Sequence, residues 1–559
     1  MPSKQNKCLL VVLPYLVAAT LDKTKKGVRS FLAFPYGVMT MASFVKKNSK
    51  KNSDCEILDL NTFDRDQFEN KLIEKINSYK PNVIGYSMSF DVSFNYLESL
   101  IKLVKKKFSN KIIQIAGGPA ASTAYKEILN ECKDLDAVCW SEGELALTRL
   151  LDSDNLHLEL EKDPWIQKAN MDKKVPRSFV TEDLDNVIDI DYKLVDVSAY
   201  NMKEAFSPFV FKDKNSKQFF IVTSRGCPFK CNFCAEPTFH GNGMRYASTQ
   251  KVYEHVKKLV DEYGLTVLTI YDDQILMNKK RAKELFTLLG KLNIRIEMPN
   301  GVTLSYIDEE MAKILKSAGV DTLFLAIESG SERVLKEIIK KPISFPRIAP
   351  TIKTLQDNGI FTCAFFVWGL PGEEKKDREL TKKLISDSGL DWAFFNYASP
   401  LRGSDLYRQS IKNNWIPEKY KKLGAIDMTD YILEAGIDKK ELEEDMLLAN
   451  LEFNFVKNKR FRIGDYDTSI RSFFEVVSRH YNHPFAHFCL ARSFYFKHEK
   501  VTDQVQSHLN DFYDIIDKDD KWKKYLYLLK NDVFFKKFAN TKVKKLSFNT
   551  STINEHLNL

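Results

Sequence analysis

Thr223-Ser-Arg-Gly-Cys-Pro-Phe-Lys-Cys-Asn-Phe-Cys234 is the stretch that decides how this 559-residue chain is interpreted. Its cysteines, Cys227, Cys231 and Cys234, follow a C-x₃-C-x₂-C spacing directly after a strand-like segment. Ordinary iron–sulfur clusters are held by four cysteines, and the next cysteine is Cys363, far along the chain. One iron would therefore lack a protein ligand, and such an open coordination position is typical of a catalytic metal.

A structural zinc loop is the alternative interpretation of the same three cysteines. Zinc takes four ligands, usually as two separated pairs. His240 is the only nearby residue that could supply the fourth ligand. The spacing favours the cluster.

The cysteine spacing, with Phe233 before the last cysteine, resembles the signature of the radical SAM superfamily. The resemblance implies a [4Fe–4S] cluster held by Cys227, Cys231 and Cys234, which are thus the predicted metal ligands and catalytic residues. It also implies that the open iron binds the amino and carboxylate groups of S-adenosylmethionine (SAM). One electron then cleaves SAM to a 5′-deoxyadenosyl radical.

Composition and charge narrow the class of protein. A hydrophobic content of 44% and a charged content of 28% are globular values, and the length requires several domains. The net charge of +9 comes from scattered lysines without a basic patch interleaved with aromatics, so a nucleic-acid partner is not expected. Nine cysteines, six of them outside the loop, indicate a reducing compartment and not a disulfide framework. We expect a soluble, cytoplasmic protein.

The apolar run at residues 8–20 allows two interpretations. Lys4 and Lys7 precede it, as charged residues precede the apolar part of a signal peptide. A buried first strand at residues 8–13, ended by Pro14, is favoured because an α/β pattern follows. No apolar stretch reaches the roughly 18–20 residues that a membrane span needs, so no membrane partner is expected.

Periodicity divides this α/β chain into four parts. Residues 1–150 alternate strands with helical stretches, which predicts a parallel sheet in a Rossmann-like or flavodoxin-like domain. Residues 151–215 have weak periodicity and are interpreted as a linker over the surface. Residues 216–410 predict a partial (β/α)6 barrel of the TIM type, and residues 411–559 a C-terminal α-helical domain. The predicted strands are residues 8–13, 55–60, 83–87, 112–116 and 137–140, then 219–223, 265–272, 295–299, 322–327, 361–368 and 392–397.

Polar or glycine-rich clusters follow five successive predicted strands of the second series. Barrel enzymes place their working groups at these carboxyl ends. The clusters are Thr-Ser-Arg-Gly at 223–226, Tyr-Asp-Asp-Gln at 271–274, Pro-Asn-Gly at 299–301, Ala-Ile-Glu-Ser-Gly-Ser at 326–331 and Trp-Gly-Leu-Pro-Gly-Glu at 368–373.

Over about residues 8–410 these segments resemble radical SAM proteins with an N-terminal cobalamin (B12)-binding domain, of the class B methyltransferase type. The resemblance implies that the acidic pair lies near the methionine amino group of SAM, the Glu-Ser run at its ribose or carboxylate, and the Gly-Leu-Pro-Gly backbone near its adenine. The predicted SAM-binding residues are Asp272, Asp273, Glu328, Ser329, Gly369 and Pro371. Arg245 also matches a family position, with an ordinary salt bridge as the alternative.

The first domain contributes small and polar residues at its predicted strand ends. The predicted cobalamin contacts are Ser87, Gly117, Gly118 and Glu142. No histidine precedes His157, so the D-x-H-x-x-G loop of free-standing cobalamin carriers is missing. Cobalamin would then bind without a histidine on its lower face, with Tyr15 or an apolar side chain there. The alternative is a relic domain that binds no cobalamin.

The resemblance implies a cobalamin-dependent radical SAM enzyme that methylates an unactivated carbon or, less often in the family, phosphorus. The alternatives are radical cyclisation, rearrangement or oxidation without methyl transfer, and a non-catalytic cobalamin- or SAM-binding sensor. The implied partners are a small-molecule or peptide substrate and an electron donor such as flavodoxin or ferredoxin. Tyr397, Ser399 and Arg402, with the helical tail, are expected to line the substrate pocket.

His483, His487 and Cys489 lie close together in the predicted helical tail. Such residues can form a metal site, but helical packing is the favoured interpretation.

Overall fold

The N-terminal domain is built on a central sheet of six strands. The computed structural model describes residues 5–15, 32–173, 179–200, 206–208, 216–425 and 433–538. The strands are β1 (Lys7–Val12), β2 (Asp54–Asp59), β3 (Val83–Ser87), β4 (Ile113–Gly117), β5 (Ala137–Cys139) and β6 (Trp165–Ile166). Their spatial order is β2-β1-β3-β4-β5-β6, parallel except for the β5–β6 pair. The first five follow the flavodoxin-like order, whose ligands bind at the carboxyl ends of the strands.

The strand β1 decides between the two interpretations of the N-terminal apolar run. It lies between β2 and β3, and its residues from Cys8 to Val12 are buried on both faces, as central parallel strands are. The prediction of a buried first strand is confirmed for these residues. Residues 16–20 lie outside the described part.

Amphipathic helices cover both faces of this sheet. The helix after β3 shows the pattern, with Leu97, Leu100, Ile101 and Val104 buried. The helices are α1 (Tyr36–Asn48), α2 (Phe68–Tyr79), α3 (Phe94–Phe108), α4 (Pro119–Thr123), α5 (Tyr125–Glu131), α6 (Glu144–Asp152) and α7 (Leu156–Glu159).

The central region is the predicted partial barrel. Its six parallel strands form two three-stranded sheets, and a bridge between Val302 and Leu325 connects them. The strands are β7 (Gln218–Ile221), β10 (Val267–Ile270), β11 (Arg295–Glu297), β12 (Thr322–Glu328), β13 (Phe361–Trp368) and β14 (Trp392–Tyr397), while β8 (Ser224–Arg225) and β9 (Arg245–Tyr246) pair beside the cysteine loop. The helices are α8 (Glu236–Phe239), α9 (Thr249–Tyr263), α10 (Lys279–Leu289), α11 (Glu309–Ser317), α12 (Ile348–Asp357), α13 (Lys375–Ser388) and α14 (Asp405–Lys412).

The segment before the barrel differs from the expected surface linker. Leu184, Ile188 and Tyr192 are buried in the same apolar core as the barrel strands. They lie in and beside short 3₁₀ turns, which have neither the helical nor the strand period, and this is why the sequence pattern missed them. Asp191 caps one of these turns by accepting a hydrogen bond from the Lys193 N–H.

The C-terminal region is helical and packs on the last barrel strands. Phe455 lies 5.6 Å from Trp392 of β14, measured between ring centroids, so this region packs against the last barrel strand. The helices are α15 (Glu418–Lys421), α16 (Lys439–Asn450), α17 (Lys459–Arg462), α18 (Tyr466–Arg479), α19 (Pro484–His498), α20 (Asp503–Lys518) and α21 (Val533–Phe538). Within the described ranges, no helix combines the length and apolar character needed to cross a membrane.

Candidate active site

The cysteine loop starts where β8 turns away from the barrel. Gly226, the residue before Cys227, has φ +89°, and a Cβ there would lie 2.1 Å from the carbonyl oxygen of Gly243. Only glycine fits this turn. The loop is fixed by main-chain hydrogen bonds: the Asn232 N–H donates to the Ile339 carbonyl (3.1 Å), and the Asn232 carbonyl accepts from the Leu406 N–H (2.7 Å). The loop is therefore held at the mouth of the barrel.

The three cysteines are free, with Cys227 buried and Cys231 and Cys234 half-buried. Burial, with a smaller contribution from the neighbouring Cys231, raises the pKa of Cys227 to about 11 and that of Cys234 to about 12. Without a bound cation these groups are therefore neutral thiols, and a metal would bind them with loss of their protons. A donor set of three cysteines suits an iron–sulfur cluster.

The geometry does not favour the zinc interpretation. Sulfurs on one tetrahedral zinc would lie about 3.8 Å apart, but the three loop sulfurs do not form a group within 4.8 Å of one another. His240, the nearby candidate for a fourth zinc ligand, has its Nδ1 2.6 Å from Glu142. A cluster fits better because it distributes its cysteines over separate iron atoms.

The two residues of the predicted acidic pair after β10, Asp272 and Asp273, have different surroundings. Asp272 is 4% exposed and accepts three hydrogen bonds of 2.6 Å, from the Thr223 N–H, the Thr223 hydroxyl and the Ser224 hydroxyl. Burial raises its pKa against the opposing effect of these bonds. Its carboxylate thus joins β10 to the segment before the cysteine loop and has both oxygens engaged. These bonds give Asp272 a positioning role, and its contact with SAM stays a prediction.

Asp273 instead faces the cysteine loop. Its carboxylate raises the pKa of Cys227 and Cys234, and it is hydrogen-bonded to Glu236, two residues after Cys234. Burial, followed by repulsion from Asp273, raises the pKa of Glu236 to about 9. The Oε1 atom of Glu236 is buried without a hydrogen-bond partner among the described residues. A polar atom of this kind beside the loop fits a polar ligand.

Glu328 and Ser329 lie at the end of β12, on the other side of the loop. Glu328 has φ +70°, which is uncommon for a non-glycine residue and concentrates at functional sites. Its Oε1 lies 2.8 Å from the Nζ of Lys341, and both side chains are buried. Both charges act on Cys231. Ser329 is fully buried and accepts a hydrogen bond from the Ser331 N–H.

The Gly-Leu-Pro-Gly run follows β13. The Gly369 N–H donates to Glu373 Oε2 (2.6 Å), and Pro371 is half-buried in the same turn. Burial raises the pKa of Glu373 to about 7, and its Oε1 is buried without a partner within the described ranges. Glu373 is therefore a second unsatisfied carboxyl group at the strand ends.

The predicted cobalamin contacts lie along the carboxyl edge of the N-terminal sheet. Ser87 and Gly117 end the adjacent strands β3 and β4. Gly118 has φ +105°, and a Cβ there would lie 2.7 Å from the Met88 carbonyl oxygen. Tyr15 after β1 and Phe90 after β3 have ring centroids 5.2 Å apart. Small residues beside an aromatic pair fit a large flat ligand at the position where this fold binds ligands.

Glu142 has a different surrounding from the one expected. Arg245 binds both of its carboxylate oxygens (2.6 and 2.9 Å), Arg225 lies 3.2 Å away, and the Thr181 N–H donates to it at 2.8 Å. Although burial alone would raise the pKa of Glu142, the His240 contact and the two arginines hold it well below its ordinary range. The salt-bridge alternative for Arg245 is thus the one observed, and Glu142 joins the two domains.

This ion-pair cluster brings the two strand edges together. Glu142 and Glu144 follow β5 of the N-terminal sheet, whereas Arg225 is two residues before Cys227. Arg225 Nη2 donates to Glu144 at 2.7 Å. Sequence reasoning assigned no role to Glu144 or Arg225, although Arg225 lies inside the quoted cysteine motif, and it considered His240 only as a candidate zinc ligand.

Two of the expected substrate-pocket residues, Arg402 and Tyr397, lie in different surroundings. Arg402 is buried and bonds to Asp91 (3.0 Å) and Glu127 (3.1 Å) of the N-terminal domain, so it makes a second inter-domain contact. Tyr397 lines a cavity of about 460 Å³ between β14 and the C-terminal helices. Residues of the helical tail also line this cavity, and its use as the substrate pocket stays a prediction.

Comparison with known proteins identifies both regions. Residues 221–385 match the family model of the radical SAM superfamily, and residues 27–151 match that of the B12 binding domain. Together the two matches cover more than half of the 559 residues.

Relatives extend over most of the chain. An uncharacterised methyltransferase of Pyrococcus horikoshii is 27% identical, over 76% of this chain and 87% of the relative. The cytidylyl-2-hydroxyethylphosphonate methyltransferase of Streptomyces wedmorensis is also 27% identical, over 70% of this chain and 78% of the relative. The cobalamin-dependent SAM radical enzyme OxsB, solved with aqua-cobalamin and SAM bound, has a similar fold. The TM-score is 0.58 at 15% identity, covering 96% of this chain and 82% of that one.

The cysteine loop at the barrel mouth lies within the radical SAM match, and the small-residue edge of the flavodoxin-like sheet lies within the B12-binding match. The chain therefore belongs to the radical SAM superfamily, with a B12-binding domain on its N-terminal side, and a [4Fe–4S] cluster, SAM and cobalamin are the cofactors of this architecture.

Proposed function

We propose that this chain is a cobalamin-dependent radical SAM methyltransferase that acts on an unactivated carbon of a small-molecule or peptide substrate. One observation carries the proposal: Glu142, at the carboxyl edge of the N-terminal sheet, is ion-paired with Arg225, two residues before Cys227. The ligand sites of the two domains are therefore neighbours. The names of both methyltransferase relatives support methyl transfer as the reaction.

The cofactors supply the reactive chemistry and the protein supplies binding and orientation. When bound, the cluster and SAM provide a carbon-centred radical that removes a substrate hydrogen atom, and cobalamin provides the methyl group. The proposed cluster ligands are Cys227, Cys231 and Cys234. Asp272 orients the segment that precedes them through its bonds to Thr223 and Ser224.

The remaining strand-end residues are proposed to bind SAM and cobalamin. Asp273, Glu236 and Glu373 present buried carboxyl groups at the barrel mouth, two of them with an oxygen that has no partner among the described residues. Glu328, Ser329, Gly369 and Pro371 complete this side. On the facing edge, Ser87, Gly117 and Gly118 are proposed to contact cobalamin.

We place the enzyme in the cytoplasm, with a low-potential electron donor such as flavodoxin or ferredoxin. The nine cysteines are all free in the structure, which agrees with a reducing compartment. Reduction of a cluster that has one open iron requires such a donor.

The test is anaerobic reconstitution followed by incubation with SAM labelled in its methyl group. We expect iron and sulfide near four of each per chain, cleavage of SAM to 5′-deoxyadenosine, and labelled methyl in the product. Candidate substrates come from the products of neighbouring genes. The variants Cys227→Ala, Cys231→Ala and Cys234→Ala should each lose the cluster absorbance, whereas Cys132→Ala, at a buried cysteine outside the loop, should keep it.

Each outcome assigns the chain to one class. A modified product without label would replace methyl transfer by radical cyclisation, rearrangement or oxidation. An intact cluster without 5′-deoxyadenosine would support a non-catalytic sensor. Full clusters in all three cysteine variants would refute the assigned ligands.

A further inference from the structure

Two helices of the C-terminal region bring a second set of metal-binding side chains together. His487 lies on α19, and His508 and Asp511 lie one turn apart on α20. The ligand atoms of these three residues all lie within 4.8 Å of one another. His487 is fully buried, while 14% of the His508 side chain and 24% of the Asp511 side chain are exposed. Solvent therefore reaches the group through His508 and Asp511.

We propose that His487, His508 and Asp511 bind one Zn²⁺ ion, which cross-links α19 and α20. The distances agree with this assignment. The two Nδ1 atoms are 3.1 Å apart, and Asp511 Oδ2 lies 3.4 Å from His487 Nδ1 and 3.9 Å from His508 Nδ1. Ligand atoms on one tetrahedral zinc are about 3.3 Å apart, so shifts of a few tenths of an ångström complete the site.

The atoms around the three ligands hold them in the orientation that a metal needs. His487 Nε2 lies 2.8 Å from the Tyr481 carbonyl oxygen. Because a carbonyl only accepts, Nε2 carries the proton, and in the neutral ring the Nδ1 lone pair faces His508 and Asp511. The hydroxyl of Tyr481 donates to Asp511 Oδ1 at 2.8 Å, which leaves Oδ2 for the metal. Metal ligands in proteins typically have such second partners.

The ligand set favours zinc over other cations. Two imidazoles and one carboxylate are a nitrogen-rich set that suits zinc, whereas calcium and magnesium require oxygen ligands. Three protein ligands leave the fourth tetrahedral position to water, and the exposed side of the group provides access for that water. His483 and Cys489 do not take part. His483 caps α19 and stacks on Phe455, and Cys489 is buried in the apolar core, so the packing interpretation is confirmed for these two residues.

The test measures zinc in the reconstituted full-length enzyme, in which the loop cysteines are occupied by their cluster. We expect one zinc per chain in the wild type after dialysis against a weak chelator. Zinc should be lost in His508→Gln and Asp511→Asn. His498→Gln removes an exposed histidine on the same helix α19 and should keep the ion. Tyr481→Phe should bind zinc about tenfold more weakly, as expected when a second partner of a ligand is removed.

A second measurement is independent of the cluster. In the Cys227→Ala/Cys231→Ala/Cys234→Ala background, added Zn²⁺ should raise the melting temperature, because the ion binds only the folded state. Asp511→Asn should remove that rise while keeping the melting temperature without metal close to that of its background. An absence of zinc in the wild type, or equal zinc in the wild type and both ligand variants, would show that the group is a hydrogen-bonded cluster only.

Discussion

Replacing Glu142 with glutamine tests whether buried charge holds the two domains together. Arg245 binds both carboxylate oxygens of Glu142, which is its only acidic partner within the part of the chain that the structure describes. Glu142→Gln leaves this guanidinium buried without a counter-charge, and removal of one partner of a buried pair costs about 3–5 kcal/mol. We expect about 3 kcal/mol, the low end of this range, because Arg225 retains Glu144 at 2.7 Å.

The stability lost in Glu142→Gln should appear as more frequent opening of the domain interface. Hydrogen exchange of the full-length protein measures such opening directly. Amides around Thr181, whose N–H donates to Glu142, should exchange about 100-fold faster in the variant, since 1.4 kcal/mol corresponds to a factor of ten. Amides inside β3, away from the interface, should keep their protection.

The matched control is Glu98→Gln on α3, where an exposed glutamate pairs with the exposed Lys102. Exposed pairs contribute little, so this variant should exchange like the wild type. If peptides around Thr181 and Arg245 exchange at the wild-type rate in Glu142→Gln, buried charge is not what closes the interface. In that case apolar contacts between the domains would have to hold the interface closed.

The pH dependence of the same interface follows from the low pKa of Glu142. A carboxyl group whose pKa is lower in the folded state stabilises fully above its unfolded pKa, about 4.3. The stabilisation is lost as the pH falls towards the folded pKa, which lies well below the ordinary range. The difference between the wild type and Glu142→Gln should therefore be constant above about pH 5 and shrink in more acidic buffer.

Two further variants test the other buried carboxylate contacts. Asp272→Asn cannot accept all three hydrogen bonds from Thr223 and Ser224 and should destabilise the cysteine loop by about 1.5–3 kcal/mol, which is seen as a lower melting temperature and faster iron loss on gel filtration. Asp261→Asn, on the exposed face of α9, is its control, and equal iron retention in both would contradict the positioning role. Arg402→Met leaves Asp91 without its buried guanidinium partner and should destabilise the protein by about 3–5 kcal/mol in urea unfolding. The control, Arg408→Met, changes an exposed arginine and should leave the stability unchanged. Equal urea midpoints for the two variants would show that the Arg402 contact does not stabilise the domain interface.

Most of the strands could be predicted from sequence because their residues carry a local signal. The barrel strands β13 and β14 lie at the predicted residues 361–368 and 392–397, and the other strand bounds shift by a few residues at most. Apolar runs of this length between polar turns need no tertiary information to be recognised. The cysteine loop is local in the same sense, since all three sulfurs come from eight consecutive residues.

The charged contacts could not be predicted because they join residues far apart in the chain. Glu142 meets Arg245 and Glu328 meets Lys341, and no spacing rule connects either pair. The sequence pattern placed Glu142 correctly at a strand end but could not show that an arginine from another domain occupies that position. The group of His487, His508 and Asp511 was missed for the same reason, since it exists only when α19 packs on α20.

The position of Arg225 connects domain docking with cluster binding. Its guanidinium is held by Glu142 and Glu144 of the N-terminal domain, while its main chain continues through Gly226 into Cys227. Two residues span at most about 7 Å, so a movement of the N-terminal domain that carries Arg225 must also move the first cluster ligand. The same contact that brings the two ligand edges together therefore also constrains the cysteine loop. Opening of the domains should loosen the cluster site even though no cysteine belongs to the interface.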